Sequence, residues 1–95
     1  MSAYLIVDIH IHNQEQYLEY VKRVPPLVEK HGGDYLIRGG NPITLEGNWQ
    51  PERLVVLRFP CSQSARAFLD DPDYAPVKSI RHQAASTNLL LVEGI

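Results

Sequence analysis

Two strand-length segments are apolar on both faces, and that fact constrains this chain more than any other. Residues 53–59 read Arg-Leu-Val-Val-Leu-Arg-Phe, and residues 87–93 carry Leu89, Leu90, Leu91 and Val92 in a row. Side chains alternate across a strand, so each segment presents apolar groups to both sides of any sheet it joins. Within 95 residues, the remaining segments supply enough helix to cover one side only. The other side would leave Leu and Val wet, at roughly 25 cal/mol per Å². A contiguous patch of that kind marks a binding surface. The economical cover is a second copy related by two-fold symmetry; the alternative is a fold-over by a loop such as 39–52.

The other elements follow from local signals. Ala3–Ile11 alternates: Leu5, Val7, Ile9 and Ile11 point one way, and Tyr4, Ile6, Asp8, His10 and His12 the other. Asn13 offers a helix N-cap, with Gln16 three residues on in a capping-box pattern. Tyr17, Leu18, Val21 and Val24 then recur at helical spacing. Pro25-Pro26 breaks that helix and opens a second short one, which Gly32-Gly33 ends. A second strand is predicted over 34–38, with extended character resuming over 43–46 after Gly39-Gly40-Asn41-Pro42. Ser62 or Ser64 is the expected cap of a helix bearing Ala65, Phe68 and Leu69. Asp73 is the expected cap of a last helix bearing Val77, Ile80 and Ala84.

The order strand–helix–strand–strand–helix–strand predicts one α+β domain over residues 1–95, the ferredoxin-like βαββαβ pattern with an antiparallel sheet. Paired through the bare faces of two sheets, such chains form a dimeric α/β barrel. The net charge of −2 and the lack of a basic run argue against a nucleic-acid surface. No apolar run has membrane-spanning length. Cys61 stands alone, and no signal-peptide pattern opens the chain, so a reducing cytoplasm is the expected location.

With these elements placed, the chain resembles a bacterial family, domain-of-unknown-function family 1330, within the dimeric α/β barrel superfamily. The likeness runs nearly end to end. Its most specific parts are Arg38-Gly39-Gly40 and Glu46-Gly47-Asn48-Trp49; residues 3–6, 32–37, 53–57 and 91–94 support it. Asp71-Pro72-Asp73-Tyr74 stands where the family more often has serine-proline-glutamate-tyrosine. The resemblance implies the ferredoxin-like fold and the dimer. It implies no chemistry.

Several residues are candidates for a site. Glycines after Arg38 permit a bend that re-aims its side chain. Arg38 is then placed to grip a carboxylate, with Glu46 as orienting partner or base and Trp49 and Tyr35 as walls. The structural alternative is an Arg38–Glu46 ion pair that staples a hairpin. Asp8, His10 and His12 share one strand face about 7 Å apart. Asp8 or His10 is the candidate acid–base group, and a metal site there would need further ligands. Tyr74 and Arg81, seven apart on the last helix, are candidates for a pocket mouth.

The leading functional expectation is therefore a homodimer that binds or transforms a small acidic or aromatic metabolite between its sheets, without a tightly held cofactor. The other is a non-catalytic binding or structural dimer with no small-molecule substrate.

Overall fold

Strand β1 (Ala3–Ile11) hydrogen-bonds to a neighbour along each edge in the computed structural model, which describes Met1–Ile95. On one edge β3 (Arg53–Phe59) runs antiparallel, with Val7 opposite Val55; on the other is β4 (Ala85–Glu93), with Val7 opposite Leu89. Strand β2 (Asp34–Gly39) pairs antiparallel with β3 and completes the order β2-β3-β1-β4. Helices α1 (Gln14–Arg23), α2 (Pro25–Lys30), α3 (Ser62–Asp70) and α4 (Ala75–Ala84) complete the chain. Among them, α3 packs on β1, β3 and β4, and α1 lies against α4. The fold is the expected ferredoxin-like α+β arrangement.

The period-two pattern decides which face is which. Leu5, Val7 and Ile9 of β1 are buried, as are Val55, Leu57 and Phe59 of β3. They meet Tyr17, Val24, Val28, Phe68, Tyr74 and Val77 from the helices. Phe68 stacks on Tyr74 with ring centroids 4.4 Å apart, and on Phe59 at 5.5 Å, spacings at which aromatic pairs add attraction beyond burial. The opposite face behaves as the two-sided strands require: Leu90 is 62 % exposed, Ile37 44 % and Val92 43 %.

Local signals set most of the boundaries. The Asn13 side chain accepts the Gln16 backbone N–H at 3.1 Å. Pro25-Pro26 divides α1 from α2 at Val24, which ends one helix and precedes the other. Gly32 turns the chain with φ +77°. Gly33 serves a different need: a Cβ there would lie 2.7 Å from both Phe59 and Val28, so only glycine lets the chain pass over the Phe59 ring.

Three expectations are corrected. Residues 43–46 form no strand; left-handed Gly39 and Gly40 (φ +91° and +62°) turn the chain off the sheet, and Pro42 lacks the N–H a ladder needs. Neither Ser62 nor Ser64 caps α3. Cys61 occupies that position without a side-chain cap bond, and its thiol, 3.4 Å from the Ser64 hydroxyl, has its pKa lowered by hydrogen bonding to Ser64. Asp73 does not cap α4 either, since Tyr74 holds that position.

The turn before α4 is instead organised by Asp71, whose side chain is 5 % exposed. One carboxylate oxygen accepts the Asp73 N–H at 2.8 Å; the other takes Lys30 Nζ at 2.9 Å and His31 Nε2 at 2.7 Å. These bonds tie the end of α2 to the α3–α4 turn. Lys30 and His31 hold the Asp71 carboxyl well below the usual carboxylate range.

Two outcomes follow from this packing. Gly33→Ala is expected to cost about 1–3 kcal/mol through overpacking, read as a lower urea midpoint with an unchanged slope. Asp71 has a depressed folded-state pKa, so its contribution is complete above the unfolded value near 4 and fades as pH falls through the folded one. Asp71→Asn should therefore lower the thermal midpoint at pH 7, and the gap to wild type should narrow below about pH 4. An equal gap at both pH values would exclude this role for Asp71.

Candidate functional site

A cavity lies between the sheet and the helices, on the covered side. Its water-accessible volume is about 40 Å³, and it opens to solvent on one side. Its floor is the inner face of the sheet: Leu5, Val7, Ile9, Val55, Leu57 and Leu89. Its helical walls are aromatic and aliphatic, with Tyr17, Tyr20, Val21 and Val24 from α1 and its end, and Phe68 and Leu69 from α3. Tyr74 and Arg81 come from the start and inner face of α4, so the seven-residue spacing noted in the sequence does bring both to one pocket.

Polar groups reach this space from a few positions. The hydroxyls of Tyr20 and Tyr74 meet at 2.9 Å. Burial, reinforced by Tyr74, pushes the Tyr20 phenol well above its ordinary pKa; burial also raises Tyr17, against the pull of Arg53. Both phenols are therefore neutral hydrogen-bonding groups at pH 7. Three guanidiniums complete the lining: Arg38, Arg53 and Arg81. No aspartate or glutamate is among the lining residues.

Strand geometry explains how Arg38 and Tyr35 arrive together. Three positions apart, they belong on opposite faces of a regular strand. Strand β2 breaks register between Tyr35 and Ile37: Tyr35 stands opposite Leu57 and Arg38 opposite Val55. Both partners face the core, so the bulge returns Arg38 to the side that Tyr35 occupies. The Arg38 guanidinium lies 4.9 Å from the Tyr35 ring centroid, within cation–π range. Gly39 follows with φ +91°.

The sheet separates the remaining candidates from these two. Asp8 lies on the bare face, where its Oδ2 accepts the Trp49 indole N–H at 2.8 Å. Trp49, on the loop between β2 and β3, is 58 % exposed, and with Ile6, Asn88 and Leu90 it borders a shallow depression over Asp8. His10 lies 3.6 Å from Asp8 and 3.8 Å from Glu52. His12 bonds instead to the Ser86 hydroxyl at 2.7 Å. Glu46 is exposed and makes no ion pair.

Within one chain, Arg38, Tyr35, Glu46, Trp49, Asp8 and His10 are thus not gathered around one pocket. A single sheet stands between Arg38 with Tyr35 and Asp8 with Trp49. The expected Arg38–Glu46 staple is also absent, because residues 43–46 do not run back along β2. No group of three or more His, Cys, Asp or Glu side chains has an arrangement that would hold a metal ion.

Three further cavity residues, not among the sequence candidates for a site, carry a signal of their position. Arg53 shares the parity of Val55, Leu57 and Phe59, which places it on the inner face. Tyr17 and Tyr20 sit on the helix face turned to the sheet.

Comparison with known proteins agrees with this architecture. A protein of unknown function from Rhodopseudomonas palustris superposes with a TM-score of 0.81 at 18 % identity, over 99 % of this chain and 82 % of that one. A dimeric ferredoxin-like protein of unknown function from Jannaschia sp. CCS1 gives 0.75 at 12 % identity, over 99 % and 100 %. The cofactor-independent oxygenase SnoaB from Streptomyces nogalater gives 0.68 at 11 % identity, over 99 % and 93 %. At these identities the likeness is one of fold. No curated protein matches the chain. No helix is long and apolar enough to cross a membrane. The family model for DUF1330, a domain of unknown function, matches residues 2–95, and the chain belongs to that family.

Proposed function

We propose that the protein is a homodimer in which each chain binds a small acidic or aromatic metabolite in the cavity beneath its own helices. The observation that carries this reading is the composition of the cavity wall: apolar and aromatic groups throughout, with three arginines and no carboxylate. Apolar and aromatic walls with a few convergent polar groups are the usual lining of a small-molecule site. The three guanidiniums, with Arg38 held over Tyr35, supply the positive charge that attracts an acidic group. Asp8 and His10, across the sheet, take no part in this cavity.

The dimer rests on the bare face. Leu90, Val92 and Ile37 lie open there, and Ile43 and Leu45 on the adjoining loop are 80 % and 92 % exposed. Of that loop, Trp49 and Glu52 reach back to β1, so fold-over leaves most of the face uncovered. A second copy, sheet to sheet, removes this patch from water, and the Jannaschia protein is itself dimeric. The reducing cytoplasm expected from the sequence fits the free thiol of Cys61.

Sedimentation at micromolar concentration should give a dimer, and Leu90→Glu should shift it to monomer; a wild-type monomer would remove this assembly. Thermal melting across a metabolite panel should show concentration-dependent stabilisation by acidic aromatic compounds. Arg38→Ala should reduce that shift. The absence of any stabilising compound would favour the non-catalytic structural dimer, and undiminished shifts in the variant would remove Arg38 from the site.

A further inference from the structure

The three guanidiniums of the cavity differ in one respect that bears on how a ligand enters. Arg38 is exposed, whereas Arg81 is 5 % exposed and Arg53 is largely enclosed. Arg81 has one protein hydrogen bond, to the Thr87 hydroxyl. Arg53 lies over the Tyr17 ring, 5.6 Å from its centroid, and its Nε is buried without any hydrogen-bond partner. Neither forms an ion pair. A guanidinium stays charged at all relevant pH values. A buried charge without a counter-charge, and a buried donor without an acceptor, are each costly.

The backbone is shaped to keep Arg53 there. Gly39 is buried, and a Cβ on it would come within 2.9 Å of Arg53 Nη1. The missing side chain makes room for the guanidinium, so Gly39 in the arginine-glycine-glycine element serves Arg53 as well as the bend after Arg38.

Resting on the reading above, we infer that the ligand is a flat aromatic or unsaturated monocarboxylate that enters acid group first, with Arg53 and Arg81 receiving the carboxylate and Arg38 closing over the outer end. The planar fork of a guanidinium matches a carboxylate. Tyr17, Tyr20 and Phe68 line the space with aromatic faces against which a ring packs. A phosphate would meet neither a glycine-rich loop nor a row of backbone N–H groups among these walls.

Benzoate and its neutral isostere benzamide are the probes, added to the purified full-length protein. Benzoate should raise the melting temperature and move the Arg53 side-chain Nε–H resonance in the wild-type protein, and benzamide at equal concentration should do neither. Arg53→Gln should weaken benzoate binding by about tenfold or more, while Arg58→Gln, on the opposite face of β3, leaves it unchanged. The wild-type resonance decides the matter even if the Arg53 variant fails to fold. Equal responses to the two probes, or benzoate binding that depends on Arg38 but leaves the Arg53 resonance still, would overturn the inward orientation and leave the broader reading intact. No response to benzoate, with other acids in the panel also silent, would remove both.

Discussion

Strand β1 bonds to a neighbour along both edges, and the chain is organised by what its two faces meet. Leu5, Val7 and Ile9 look into the layer under the helices; Ile6 and Asp8 look away from it. Because the sheet is only one strand-layer thick, a side chain's parity decides which of two environments it enters. Apolar groups from β3 and β4 add to both sides in the same register. The helices bury one side, and the other is left bare.

The cavity is electrostatically unlike the rest of the core. Elsewhere Asp71 is surrounded by Lys30, His31 and the Asp73 N–H, while Asp8 on the bare face has one oxygen on the Trp49 indole and its Oδ1 buried without a hydrogen-bond partner. Under the helices, positive charge stands among aromatic rings with hydroxyls as its only polar protein neighbours. The unpaired guanidiniums set this space apart from the fully matched carboxylate of Asp71.

Much of this arrangement could be read from the residues. The alternation in Ala3–Ile11, the Asn13 cap and the proline pair at 25–26 all led to the observed elements, because each is a signal local to a few residues. Apolar groups on both sides of β3 and β4 gave away the uncovered face for the same reason. What could not be read was the bulge in β2, since register depends on the partner strand. Tyr35 and Arg38 look like opposite-face residues until one position is spent in the bulge. That hidden offset is why Arg38 was grouped with Trp49 and Glu46 on its own loop, when its neighbours are Tyr35 and the core. Arg53 was legible by parity alone, but an arginine at a strand start reads as a solvated end until Gly39 is seen to make room for it.

Trp49 is the chain's one tryptophan, and its indole sits on the bare face with its N–H on Asp8. The chromophores around the cavity are tyrosines: Tyr17, Tyr20, Tyr35 and Tyr74. The molecule therefore carries two optical reporters, divided by the thickness of a sheet. Indole emission follows solvent access at the outer surface, and four of the five phenols report from beneath the helices, with Tyr4 alone sharing the outer face, so emission and absorption together separate changes on the two sides.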